Sequence, residues 1–195
     1  MSFSGQVKAD LHRLRPGGGR RAMALELLRN RNYRAIFTHR LCNCMKAEGR
    51  VTWVLMLLAR LAHRWTTWMA SIDLPHETRI GYGFAITHGW GLVVSPKATI
   101  GSNVTLFHGV TIGRGDKIDR QGSRLTEYPR IGNDVWIGPH AVVAGGIEVG
   151  DGSRVLANAF VTFDVPSASM VSGNPASVVK MDCAPDVFNK VPPPL

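Results

Sequence analysis

The chain of 195 residues is 45% hydrophobic and 8% aromatic, which suits one main domain with a true core plus a small appendage. Its formal charge of +9 belongs to one end, since residues 1–70 hold 13 Lys or Arg against three acids and residues 71–195 hold ten against 11. A bilayer span needs roughly 20 apolar residues, and the most apolar run, Val51 to Ala59, is stopped by Arg60, His63 and Arg64.

Residues 1–21 end in Pro16-Gly17-Gly18-Gly19-Arg20-Arg21 and read as a flexible basic arm. Such an arm faces anionic lipid headgroups or nucleic acid, or is simply a solvated basic surface; no nucleic-acid motif accompanies it. From Ala22 to about Ala70 helix breakers are few, which predicts two or three helices that complete an N-terminal segment over 1–70. In the last of them, about Val51 to Ala70, Trp53, Leu57, Leu61, Arg64 and Trp68 recur at spacings of three and four. Their face is expected against a β-helix end or a sister subunit, with a membrane surface as the alternative for Trp65, Trp68, Arg60 and Arg64. Cys42, Cys44 and Cys183 lack the spacing of a zinc site and the N-terminus has no apolar signal core, so a reducing cytoplasm is the expected setting.

From Ser71 the period changes. Ile80, Ile86, Leu92, Ala98, Val104 and Val110, then Ile131, Ile137, Val143, Val149, Val155 and Val161, keep a strict six-residue spacing. That period fits neither a helix nor an alternating strand, and it predicts a parallel β-helix over 71–180 with inward aliphatic heads and coils about 4.8 Å apart. The step from Val110 to Ile131 is 21 residues, not a multiple of six, so the polar stretch 113–130 leaves the coil as a loop, and such loops carry function. Gly173-Asn174-Pro175-Ala176 closes the last coil, and 181–195 is an irregular tail.

Asp73-Leu74-Pro75-His76, Ile80-Gly81, Thr87-His88-Gly89, Val110-Thr111-Ile112-Gly113, Ile131-Gly132 and Gly173-Asn174-Pro175-Ala176 together resemble the hexapeptide-repeat acyltransferases on the serine acetyltransferase branch. The resemblance implies an all-β left-handed parallel β-helix with a small N-terminal helical segment, a homotrimer, acetyl-CoA as co-substrate, no metal, and an active site in the groove between subunits. It also implies that His88 is the catalytic base and that Asp73, 15 residues earlier, is the carboxylate that orients it. The chemistry is consistent: a hydroxyl is a poor nucleophile until a base takes its proton, and a carboxylate on the other ring nitrogen fixes the imidazole tautomer. His108 is the rival base or a substrate-groove residue. For acetyl-CoA the resemblance points to Gly113, Arg114 and Ala157, with Arg154 and Lys180 as phosphate partners.

The acceptor is the harder question. Where serine acetyltransferases place an Asp directly before the catalytic His and an Arg-His pair just before the Pro that follows the long loop, this chain has Thr87, Glu127 and Tyr128. The departures, with a helical segment shorter than the family's, resemble the short acetyltransferases that decorate exopolysaccharide or capsule units. On this reading Thr87, Trp90, His108 and Tyr128 contact a saccharide acceptor, and the basic arm makes peripheral contact with the inner face of the membrane. The alternatives are L-serine O-acetylation in cysteine biosynthesis and a non-catalytic β-helix scaffold. A zinc-dependent carbonic anhydrase on the same fold needs a His pair with four residues between, which the sequence lacks.

Overall fold

A computed structural model describes residues 1–48 and 52–193; Val51, Pro194 and Leu195 lie outside the described residues. Helices come first: α1 (Phe3–Leu14), α2 (Arg20–Arg29), α3 (Arg31–Glu48) and α4 (Trp53–Ala70). Ser2 and Thr52 cap α1 and α4 by accepting the backbone N–H of Gly5 and Leu55, which satisfies a donor that the first turn leaves unpaired. The expected flexible arm is therefore corrected. Residues 3–14 are helical because Val7 and Leu11, four apart, bury against Tyr33 of α3 with Phe3, Leu14 and Phe37 around them.

The coils follow in order. The first carries β1 (Arg79–Ile80), β2 (Ala85–Thr87) and β3 (Val93–Val94), and the second β4 (Thr99–Ile100), β5 (Thr105–Phe107) and β6 (Thr111–Gly113). The segment 113–130 then projects as an antiparallel hairpin of β7 (Gly115–Ile118) and β8 (Arg124–Glu127). Beyond it lie β9 (Arg130–Ile131), β10 (Trp136–Ile137) and β11 (Val142–Ala144), then β12 (Glu148–Val149), β13 (Arg154–Val155) and β14 (Phe160–Val161), and finally β15 (Met170–Ser172) and β16 (Ser177–Lys180). Equivalent strands stack in parallel into three faces: β1-β4-β9-β12, β2-β5-β10-β13-β15 and β3-β6-β11-β14. β16 folds back antiparallel on β15 and ends the second face. This is the parallel β-helix that the six-residue period predicts.

Eleven of the twelve period-six positions are buried, with Ile80 half-buried on β1, the terminal strand of its face. The register is not what the even spacing suggests, however. Ile86 stacks on Leu106 and Val94 on Ile112, so the strand heads of the first two coils after His88 are Val94, Ile100, Leu106 and Ile112. Leu92, Ala98, Val104 and Val110 form a second inward row, two residues before each head, and are equally buried. The helices close the N-terminal end: Ala35 and Ile36 of α3 and Ala70 of α4 join Ile72, Leu74 and Phe84 in the same core.

Two buried arginines stitch the cap to the first coil. Arg40 forms a bidentate pair with Asp10 at 2.8 and 3.1 Å and donates to the carbonyls of Ile80 and Gly81, while Asp10 accepts the N–H of Phe84. Arg13 donates to Gly83 and Thr105, and to the carbonyl of Phe188, by which the C-terminal tail crosses back. Arginine fits both places because its planar fork satisfies several acceptors at once.

Candidate active site

The corner between the second and third faces is widened in the first coil. Ile86 and Val94 are eight residues apart where the repeat needs six, and the extra two residues let His88-Gly89-Trp90-Gly91 bulge outward. His88 (φ 64°), Gly89 (φ 56°) and Gly91 (φ 67°) all take left-handed backbone, which glycine adopts freely and which costs a residue such as histidine about 1–2 kcal/mol. The N-terminus of α3 braces this bulge. Arg31 donates to the carbonyl of His88 at 3.0 Å and stacks its guanidinium 3.5 Å from the Trp90 ring centre. Asn32 donates to the carbonyl of Ile86 at 3.2 Å and packs where a Cβ on Gly89 would stand.

Three histidines from successive coils stack along this corner. The ring centres of His88 and His108 are 6.0 Å apart and those of His108 and His140 4.9 Å, both edge-to-face. Nδ1 of His108 is buried with no hydrogen-bond partner among the described residues; His88, by contrast, is exposed. Asp73 pairs its backbone with Val93 at the neighbouring start of the third face, and its carboxylate is also exposed. Asp73 and His88 thus flank one corner. Among the described residues no hydrogen bond joins their side chains within the single chain. Thr87 and Trp90 sit at the same corner, and Ala157 occupies it in the fourth coil, next to Gly138.

The other expected site residues lie elsewhere. Gly113 ends β6 and Tyr128 precedes β9, so Gly113, Arg114 and Tyr128 stand at the far edge of the third face, where the hairpin leaves. Gly113 lies four positions after Gly109, and four steps of roughly 3.3 Å place the two edges on the order of 13 Å apart. Gly113 pairs with Ala144 in the next coil, and its carbonyl accepts the N–H of Gly145 at 3.3 Å. This leaves a ridge without bulky side chains, suited to an extended chain lying along it. Arg114 and Lys180 are exposed. Arg154 is not a free cation: it donates to the carbonyl of Ala184 at 2.8 Å and lies 3.6 Å from Asp186, both in the C-terminal tail. At the hairpin base, Glu127 pairs with Lys117 at 2.7 Å and Lys97 stands 5.4 Å from the Tyr128 ring centre. A cavity of about 590 Å³ opens there, bringing Arg79, Lys97 and Arg130 together with Glu127, Glu148 and Asp164. Among the described residues no three His, Cys, Asp or Glu side chains converge to hold a metal ion.

The bracing pair Arg31 and Asn32 escapes a reading of the sequence, because it meets the corner from more than 50 positions away along the chain. No motif marks it; only the surplus of cations before residue 70 hints that some have a structural task.

Comparison with known proteins agrees with this geometry. Residues 128–162 match the family described as bacterial transferase hexapeptide (six repeats). A serine acetyltransferase of Helicobacter pylori is 34% identical over 148 residues, which cover 76% of this chain and 81% of that protein. The chain belongs to the serine acetyltransferase family. Serine acetyltransferase 2 of Arabidopsis thaliana is also 34% identical, over 80% of this chain but only 45% of its own length, so the chain spans less than half of that relative. The solved structure of the soybean serine acetyltransferase apoenzyme superposes with a TM-score of 0.74 at 31% identity, covering 91% of this chain and 69% of that one. These relatives overturn the expectation of a saccharide acceptor: the chain aligns with family members named for serine, and the expected likeness to exopolysaccharide or capsule enzymes has no support in the matches.

Proposed function

We propose that the chain is an acetyl-CoA-dependent L-serine O-acetyltransferase of cysteine biosynthesis, working in the cytoplasm with His88 as general base and Asp73 as its orienting carboxylate. The observation that carries this reading is the widened corner. It presents an exposed imidazole beside an exposed carboxylate, in a chain that belongs to the serine acetyltransferase family. His88 removes the hydroxyl proton of serine as the oxygen attacks the thioester carbon. Collapse of the tetrahedral oxyanion breaks the carbon–sulfur bond, and the proton passes from the imidazolium to the departing thiolate.

Because the base and the hairpin lie at opposite edges of one face, a complete site needs the hairpin of a neighbouring copy, and the working unit of this reading is a homotrimer of left-handed β-helices. Gly113, Arg114, Ala157 and Lys180 then take the acetyl-CoA side of the groove, with Arg154 restrained by the tail. Thr87, Trp90, His108 and Tyr128 take the acceptor side. Glu127 stands where a carboxylate-binding Arg is expected, but its charge is paired with Lys117. The cations Arg79, Lys97 and Arg130 in the adjoining cavity offer the acceptor's carboxylate another partner, and Glu148 and Asp164 its ammonium.

The test is thiol release from acetyl-CoA by the purified chain. Serine-dependent release is expected, and His88→Ala lowers kcat by about 10²–10⁴-fold, the usual worth of a positioned base. Release that does not depend on serine, or that survives His88→Ala at full rate, defeats the assignment.

A further inference from the structure

α4 is built inside out. Its buried residues are Ala59, His63, Thr67 and Ala70, a small and partly polar set, and His63 spends its ring nitrogens on Thr38 and the carbonyl of Leu74. With 3.6 residues per turn, Val54, Leu57, Leu58, Leu61, Trp65 and Trp68 fall in an arc of about 100° on the opposite side. All six are exposed, Trp65 and Trp68 at 62% and 68%. The two indoles lie side by side, ring centres 5.3 Å apart, and with Leu61, Ala62 and Arg64 they line a shallow surface basin. A contiguous apolar face of this kind marks an interaction surface.

Charge decides between the occupants. Arg60 and Arg64, both exposed, lie along one flank of the apolar arc, and α4 contains no acidic residue. A second copy docking face to face would bring these arginines toward their equivalents with no carboxylate on either helix to pair them. An anionic lipid surface supplies what both features need: an acyl boundary for the leucines, an interfacial layer for the indoles, and phosphates for the arginines. No described helix is long and apolar enough to cross a membrane, so α4 would lie along the surface. We infer that the outer face of α4 is a peripheral binding site for anionic phospholipid, carried by Trp65, Trp68 and Leu61 and oriented by Arg60 and Arg64. The site lies in α4, and not in the N-terminal arm, where Arg13 is committed to the fold.

The test is co-sedimentation of the full chain with phosphatidylcholine vesicles, with and without about 30% phosphatidylglycerol, while light scattering follows the assembly mass. The wild type is expected to sediment with the anionic vesicles and to lose binding as salt rises. Trp65→Ser/Trp68→Ser should weaken this at least about tenfold, and Arg60→Gln/Arg64→Gln should remove the preference for anionic lipid; both should keep serine-dependent thiol release in solution. Should either variant fail to fold, quenching of wild-type tryptophan fluorescence by brominated phosphatidylglycerol gives the same answer. The inference is overturned if the wild type stays in the supernatant, if the tryptophan variant sediments equally well, or if that variant lowers the assembly mass. The last result would mean that a second copy covers the face.

Discussion

At the scale of single residues, the geometry of His88 is imposed by its neighbours. A histidine in left-handed backbone persists only where surrounding contacts over-determine it, and here Arg31 holds its carbonyl while Asn32 fills the space beneath Gly89. Neither side chain is a base. Their effect on catalysis is to position, and a misplacement of the order of 1 Å at a reacting group costs up to about 100-fold in rate. Arg31→Ala is therefore expected to lower kcat for thiol release about tenfold or more, with a thermal midpoint close to wild type because Arg31 lies at the surface of the helical cap. Lys at position 31 restores the charge but not the stacked, forked contact, and should recover little. A kcat unchanged by Arg31→Ala would show that the bulge holds its own shape.

At the scale of elements, the decisive joint is between the helical cap and the first coil. Arg40 and Asp10 are both almost fully buried, and burial pushes the Asp10 carboxyl up against the opposing pull of Arg40. Removing one partner strands the other charge in the interior, at a cost of about 3–5 kcal/mol, whereas replacing both with apolar groups is close to neutral. Arg40→Met should thus lose about 3–5 kcal/mol in chemical denaturation, and Asp10→Leu/Arg40→Met should regain only part of it, because the carbonyls of Ile80 and Gly81 and the N–H of Phe84 still lack their partners. Equal losses in the single and double variants would contradict this account. The joint also shows what the sequence discloses and what it hides. The coils were legible because each inward position repeats every six residues. The slip of two residues at His88–Gly91 was not, because two inward rows lie two residues apart, so the aliphatic spacing continues unbroken while the register changes. The fold tolerates the bulge for that same reason, and the bulge is where the proposed base sits. The arm at residues 1–21 was misread because Gly17-Gly18-Gly19 and its charges outweigh the weak Val7 and Leu11 signal, which only the contact with Tyr33 explains. The saccharide expectation leans on Thr87, Glu127 and Tyr128 together, and the alignment with relatives named for serine overturns it, while the pairing of Glu127 with Lys117 removes only the repulsive charge.

At the scale of the whole molecule, the cap links pH to the integrity of the active corner through two neutral histidines. His39 is buried on the inner side of α3, where desolvation first, and then the charge of Arg40 and the neighbouring His63, pushes it down to about 3. Burial lowers His63 as well, against the hydrogen bond it makes to Leu74. The groups facing them are Arg40, His76 and Glu77, with Asn43 against the ring of His39. Each imidazole has a folded value below its unfolded one near 6.5, so the unfolded chain binds more protons as pH falls. Stability must then decline below about pH 6.5, by about 2 kcal/mol between pH 7 and 5 for His39 alone, with the loss continuing toward pH 3. Asp10, pushed up by burial, acts with the opposite sign, so the comparison that isolates the effect is wild type against His39→Gln with Asp10 in place. Denaturation midpoints between pH 7 and 5 should fall less steeply in the variant, even if it is the less stable protein at pH 7. Thiol release should fall more steeply over the same range in the wild type than in His39→Gln, because Arg31 and Asn32 reach His88 from the helix that loosens. Parallel slopes in the two proteins would mean that His39 is protonated without cost, and that the cap does not couple pH to the corner.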